Sequence, residues 1–497
     1  DYSVLTSKIT KATNELKTAI AKVNTYAIKA SADTLKALKA AIAKADACKA
    51  DPGYVTTGDS DAVKAFDKAY AAAKNALTAS EHVALDATDA LYEAIEGLKV
   101  NAAKGSYALA AQERLEALGL DLVKAPICRV RSEFEAAVSA FTEADVDLII
   151  TLHAAYSPSL ESIDALCSVK IPLLMLDTTY NYEFKPYSYT EGMLYNHGIH
   201  GVMDLCNLLR RRGRQYEVVA GFFNEANPDY AALCRRVTDF AKAAVIRHTL
   251  AHARVGIIGE PFEGMGDFRI PFDTLKEKIG LEVVPYDLRD DTYLNAVTQA
   301  EIDAEYADNA GRFEMAVPRE VYDFSTRVSL AVRKWLADRS LNAFSMNFKA
   351  AETGTSFPTM PFAEASLAME RGIGYAGEGD VLTAAFVASL MEVFDAVSFT
   401  EIFCPDWKDG TLFLSHMGEY NVGLSVPEAK PVMREKEFSF GNAANPAILL
   451  SPFRPGKVTF LSLNPSPDDS FELFTETGSM LYTPRDNKQN DIVSGWF

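Results

Sequence analysis

The chain has 497 residues, enough for roughly two to four domains that each bury a core. Its composition, 48% hydrophobic and 24% charged, with mean hydropathy −0.04, is that of a globular protein, and no apolar run reaches the roughly 18 residues of a membrane helix. A formal charge of −19 repels nucleic acid and anionic lipid, which leaves neutral molecules, cations and proteins as partners.

The chain opens on Asp1 with no initiator Met and no signal-like start, so a removed leader or a boundary is expected there. Residues 1–105 hold 14 Lys against 13 Asp and Glu, with no Arg, so nearly all of the negative charge falls on the rest of the chain. Runs such as Leu35–Lys44 put apolar residues three and four apart among good helix formers. Breaks at Pro52-Gly53 and Thr56–Ser60, then helices over 62–77 and 83–98, predict a small all-α bundle with a structural role. From residue 106 the pattern changes to a helix over 109–118 followed by short apolar runs at 145–152, 171–177, 217–223, 253–259, 281–285 and 343–348, separated by helices. Such runs predict parallel strands covered on both faces. The last 120 or so residues turn to short strands punctuated by Gly and Pro, as in Lys457–Leu463, and predict an antiparallel β domain. A doubly wound unit usually opens on a strand, and the bundle runs into Ser106–Leu118 without one, so an opening strand is expected to be missing.

Several phrases can carry chemistry. Gly372–Asp380 sets Glu378 and Asp380 in a glycine-dense stretch where backbone approaches closely; solvated acids in a tight loop between helices are the alternative. Asp406 lies between Pro405 and Trp407, an apolar setting that raises a carboxyl pKa unless a cation is near; a turn-forming Asp is the alternative. Ser415–Glu419 brings His416 and Glu419 together at a strand end, where a structural His is the more ordinary reading. His197 and His200, three apart, could face a cleft or cap the helix that follows. Arg210–Arg214 reads as a basic last helical turn facing the helix dipole. Cys48, Cys128, Cys167, Cys206, Cys234 and Cys404 form no C-x-x-C pair, which points to reduced cytoplasmic thiols.

Two family resemblances follow. Leu38–Asp46, the Tyr54 turn, Ala69–Lys74 and Leu91–Leu98 resemble the FIVAR modules of bacterial surface proteins, which would make residues 1–105 a spacer and leaves an extracellular location open. Asp177-Thr-Thr, His197–Asp204, Gly259–Asp267, Ala343–Phe348, Gly377–Asp380, Phe403–Trp407 and Leu414–Glu419, in that order, resemble the L-fucose/L-arabinose isomerase family over residues 106–497. That resemblance implies an α/β fold of two doubly wound Rossmann-like domains, 106–190 and 191–350, and a largely β domain, 351–497. It also implies a cytoplasmic enzyme, hexameric, with active sites between subunits.

The implied reaction interconverts an aldose and a ketose of a small sugar through an enediol, with Mn²⁺ or another divalent metal. Matched by motif, Glu378 and Asp406 take the metal-binding and proton-moving positions; His200 and His197 match a substrate contact lent across a subunit interface, and Met265 a cleft wall. Two departures stand beside this. Lys349 occupies a position where the arabinose branch has a metal-binding Glu, and at ~4–6 Å its ammonium would lower either carboxyl's pKa and repel a cation. The family's last ligand, a C-terminal His, has no counterpart after His416. A weak site, empty or partly occupied, is expected, with Glu378 and Asp406 facing one cleft and water completing the shell; His416 as a third ligand would restore affinity, but its phrase is not one the family uses for direct coordination. A non-catalytic surface or carbohydrate-binding protein, and a glycan hydrolase using the same two acids, are the alternatives.

Overall fold

The computed structural model describes residues 30–50, 60–185, 190–467, 470–483 and 495–497; the expected Pro52-Gly53 break and Tyr54 turn lie outside them. The chain divides into two units, 1–240 and 241–497.

The described part of the first unit opens on helices Ala32–Ala50, Ser60–Ala76 and Glu81–Ala117. Leu38, Ala41, Ala45, Phe66, Ala73, Leu91 and Ile95 form their common core, the product of apolar residues three and four apart. Glu81 ties the start of the first helix by accepting from the Ser31 N–H and the Thr34 hydroxyl. The expected helices over 83–98 and 109–118 are one helix of 37 residues. Residues 99–108 contain no proline to stop it, and an interior glycine costs only about 1 kcal/mol. The change of composition near residue 105 is therefore no break in the backbone. The same helix gives Leu91 to the bundle core and Leu115 to the core of the sheet that follows.

That sheet is parallel, in the order β1 (Ile149–Leu152), β2 (Leu173–Asp177) and β3 (Glu217–Ala220). β2 shows why it reads as an unbroken apolar run: Leu173 and Met175 pack with Val138, Ile163 and Leu205 on one face, while Leu174 and Leu176 pack with Leu115, Val219 and Val237 on the other. The helix Gly198–Arg211 covers the first of these faces through Val202, Leu205 and Leu209. Its basic end ties down neighbouring segments: Arg214 donates to the Leu166 and Ile171 carbonyls, and Arg212 lies 3.5 Å from Asp164.

The second unit holds β4 (Arg254–Ile258), β5 (Glu282–Pro285), β6 (Glu314–Met315), β7 (Ala343–Met346) and β8 (Gly374–Gly377). All but β6 form one parallel sheet in the order β5-β4-β7-β8. β8 lies inside the glycine-dense phrase expected as a loop. Its glycines serve close approach: a Cβ at Gly374 would meet the backbone N of Ala388 at 2.6 Å, and one at Gly377 the His416 ring at 2.8 Å. The helix Val381–Met391, apolar all round and buried, lies against β7 and β8, and Arg319–Asp338 sets Trp335 over Gly256 of β4.

Antiparallel strands then follow: β9 (Glu401–Asp406) with β10 (Thr411–Ser415), β11 (Val432–Glu435) with β12 (Ala447–Leu450), and β13 (Gly456–Pro465) with β14 (Phe471–Met480). β15 (Gly495–Trp496) joins β10, and β6 joins β11. All six apolar runs expected as parallel strands contain one of β1 to β5 or β7. Among the described residues, no helix is long and apolar enough to cross a membrane.

Two stability measurements test this packing. Gly256→Ala puts a methyl into the Trp335 ring and within 2.9 Å of Leu341, and chemical denaturation should show a loss of about 1–3 kcal/mol. His153, after β1, has a buried Nδ1 without a hydrogen-bond partner, and burial holds its pKa down to about 4. A His depressed below its unfolded value near 6.5 adds stability that is complete above that value and is lost as pH falls towards 4, up to roughly 3 kcal/mol. Titrating the melting temperature from pH 7 to pH 4 should show this slope, reduced in His153→Gln.

Candidate functional site

In an open parallel sheet the loops at the carboxyl ends of the strands meet where the strand order reverses, and ligands bind there. In the second unit the chain passes from β4 out to β5 and then back across β4 to β7, so the reversal lies at the carboxyl ends of β4 and β7. Three segments emerge beside it: 259–267 after β4, 347–350 after β7, and 378–380 after β8. Backbone and amide hydrogen bonds join them. The Phe262 N–H donates to the Glu378 carbonyl at 2.9 Å, the Asn347 N–H to the Ile258 carbonyl at 3.1 Å, and the Asn347 amide to the Glu260 carbonyl at 2.6 Å.

Glu378 is the first residue beyond β8 and has φ +62°, one of three described non-glycine residues with positive φ. Such backbone costs on the order of 1 kcal/mol or more and persists where the surroundings impose it. Its half-buried carboxyl has its pKa raised by burial, then by Glu419, Asp267 and Asp380, against a lowering influence of His416. Asp380, two residues on, accepts from the Thr383 N–H at 2.9 Å and caps the helix Val381–Met391; burial raises its pKa to about 6. One acid of the phrase thus faces the site and the other starts a helix.

The antiparallel pair β9–β10 supplies the rest. Its register sets Ser415 opposite Glu401, so Glu401 and the next residue, His416, stand at the same end. His416 Nε2 lies 3.7 Å from Glu401 Oε1, and its Nδ1 lies 2.6 Å from Glu419 Oε2. The fully buried Tyr375 donates its hydroxyl to Glu419 Oε1 at 2.8 Å. Burial by itself would depress His416, but Glu419, Glu401 and Glu378 outweigh it and bring its pKa to about 9. His416 is therefore a buried cation at neutral pH, surrounded by acids. Glu401 is raised like Glu378, first by burial and then by Glu378 and Glu419.

The other expected residues lie as follows. Asp406 ends β9, and its carboxylate accepts from the backbone N–H groups of Lys408 and Asp409 at 3.0 and 3.2 Å, shaping the turn into β10. Five residues of strand, about 16 Å, separate it from Glu401. Met265 is half-buried in the loop after β4, its N–H 3.3 Å from the Phe262 carbonyl. His197 and His200 belong to the first unit. They share a 3.0 Å hydrogen bond, and Tyr156 lies 6.0 and 5.0 Å from their ring centres. His197 is the N-cap of the helix Gly198–Arg211 but makes no side-chain cap bond. Gly198 between them and Gly201 after them serve packing, since a Cβ at Gly198 would meet the His153 carbonyl and one at Gly201 the His153 ring and the Ser157 N–H, each of the latter at 2.9 Å.

The expectation for Lys349 is corrected. Its ammonium donates to the Phe440 carbonyl at 3.2 Å and lies over the Phe348 ring. It is not among the largest influences on Glu378, whose pKa is raised by burial rather than lowered.

Sequence reasoning passed over Glu401, Tyr375 and Asp267. Glu401 is the first residue of a strand that shows no clean alternation, and only the register with β10 reveals its neighbour. The spacing of His416 and Glu419 was visible, but the use of both imidazole nitrogens was not.

Comparison with known proteins finds similarity to one family. Residues 274–396 match the L-arabinose isomerase central domain, a stretch that contains β5 to β8, Lys349 and Glu378 and ends before Glu401. The chain is 26% identical over 338 residues to an L-arabinose isomerase of Nocardioides, covering 65% of each protein. It is 29% identical over 189 residues to that of Leuconostoc mesenteroides, covering 36% of this chain and 39% of the relative. It is 23% identical over 355 residues to that of Klebsiella pneumoniae, covering 68% of this chain and 69% of the relative. The chain thus spans less than two thirds of the first two relatives.

Proposed function

We propose that the chain is an aldose–ketose isomerase of the L-arabinose isomerase type, acting on a small sugar. The observation that carries this reading is a pair of half-buried carboxyls, Glu378 and Glu401, whose charges act on one another and on the buried His416, with Glu401 3.7 Å from its Nε2. Isomerisation moves one proton from C2 to C1 of the aldose and another from O2 to O1. A carboxyl with a raised pKa suits both directions of transfer, because its proton is held less weakly than that of an ordinary exposed acid. Glu378 and Glu401 are assigned these transfers. His416 donates towards the oxygen that becomes negative in the enediol, and Glu419, itself fixed by Tyr375, orients the ring.

The acids also suit a divalent cation such as Mn²⁺, because oxygen donors dominate and burial has raised their proton affinity, which a cation would offset. Glu378 and Glu401 would hold it, with water completing the shell. When bound it would supply polarisation of the sugar oxygens. Asp406 is the second acid by motif, and its engagement in a turn favours Glu401 for that part. Met265 is assigned to the cleft wall, and His200 with His197 to a substrate contact offered to a neighbouring copy. An association face there is supported by Ile199 and Met203, which are 47% and 58% exposed and four apart on one helix face.

Glu378→Gln and Glu401→Gln should each lower the rate of ketose formation from L-arabinose about 10²- to 10⁴-fold, while Asp406→Asn retains most of it; the reverse order would return the second role to Asp406. Absence of turnover by the unaltered chain on every aldose tried, with Mn²⁺ present, would refute the enzyme reading. Met203→Glu should reduce the oligomeric mass measured by light scattering, and an unchanged mass would remove that face from the assembly.

A further inference from the structure

We propose that Ser345 is the positioning residue that sets the backbone of Glu378. Ser345 lies on β7, is 0% exposed, and stands opposite Ala376 of β8. Its hydroxyl lies 2.7 Å from the Ala376 carbonyl and 3.1 Å from the Gly377 carbonyl, and it accepts from the Gly379 N–H at 2.9 Å. One hydroxyl therefore brackets Glu378, with a proton for the end of β8 before it and a lone pair for the first N–H after it.

The bracket is needed because β8 ends at Gly377, where the chain must turn to deliver Glu378 and the ladder no longer supplies a partner for Gly379. Glu378 itself is in the left-handed region, unfavourable for a residue with a Cβ. Its neighbours are confined by sterics: a Cβ at Gly379 would lie 2.6 Å from the Cα of Pro261. The Phe262 N–H holds the Glu378 carbonyl from the opposite side. The Ser345 hydroxyl is a side-chain contribution to this arrangement, and without it the buried Gly379 N–H loses its acceptor and the turn its reason to hold. The consequence for the carboxyl is direct. Rotating one backbone unit moves a side-chain terminus by more than an ångström, enough to lose about 10²-fold in rate where a reacting group must be aligned.

The consequence for catalysis rests on the function proposed above, and the experiment separates the two. Ser345→Ala and the volume-keeping Ser345→Cys are compared with the unaltered chain and with Ser389→Ala, which removes an equally buried hydroxyl that donates to the Ala385 carbonyl away from this turn. Three quantities are read: deuterium exchange of the peptide spanning 377–380, Mn²⁺ affinity by calorimetry, and kcat and KM on L-arabinose. Ser345→Ala should speed exchange in that peptide and weaken Mn²⁺ binding about 10- to 100-fold, with a fall in kcat and a KM within about twofold. Ser345→Cys should be intermediate and Ser389→Ala unchanged in all three. Parent-like exchange in Ser345→Ala, or equal losses in Ser389→Ala, would overturn the positioning role. If the unaltered chain neither binds Mn²⁺ nor converts sugar, the proposed function fails, and the exchange comparison still decides whether Ser345 holds the turn.

Discussion

A carboxylate withdrawn from water needs a positive partner or a proton, and much of the second unit is arranged to meet that requirement. Glu378, Glu401 and Glu419 come from three places in the sequence, and among the described residues none forms an ion pair with an Arg or Lys. The compensating charge is His416, 7% exposed at its side chain and in contact with an acid through each ring nitrogen. Had His416 been neutral, three acids would share a poorly solvated region with no cation. Had the acids been fewer, burial would have stripped the imidazole of its proton. Each half of the arrangement therefore depends on the other.

Bringing a ring that close to a strand end is a steric matter, and the glycines solve it. Gly377 lacks the Cβ that would meet the His416 ring, and Gly418 the one that would meet Ile448 at 2.7 Å. The Gly-Glu-Gly-Asp phrase is thus a device for close approach rather than a phosphate cradle. Its acids divide the work, with Asp380 spending its carboxylate on a helix start while Glu378, between two glycines, remains free for chemistry. The strain at Glu378 is tolerated because hydrogen bonds to both flanks fix the turn, in keeping with strained backbone being retained where geometry matters most.

Much of the architecture was legible in the sequence, because buried parallel strands announce themselves as two-sided apolar runs. β8 was not, since Gly374-Tyr-Ala-Gly377 has little apolar bulk and reads as loop; it is a strand because its neighbours demand small residues. The 37-residue helix was hidden for the opposite reason, as the change from a Lys- and Ala-rich composition suggested a boundary that the backbone ignores. At the site, Glu378 could be singled out from its glycines and His416 from its spacing to Glu419. Glu401 and Ser345 could not, because their significance lies in strand register: one faces His416 through the β9–β10 pairing, and the other brackets Glu378 through the β7–β8 pairing.

Register also explains why the phrases that carry chemistry follow strands. In a parallel sheet every strand releases its chain at the same edge, so segments far apart in sequence converge there without any long-range guidance. In the second unit this gathers 259–267, 347–350 and 378–380. The first unit repeats the geometry on its own sheet, with His153 just past β1 and Asp177 ending β2. Antiparallel strands behave differently, because successive strands exchange ends and only one end of a hairpin can face a given point. β9 and β10 show the difference. The open end presents Glu401 and His416, while Asp406, in the same strand, is carried to the turn and used to close it. Two carboxylates in one short strand therefore have separate fates, decided by the direction of the chain rather than by their chemistry.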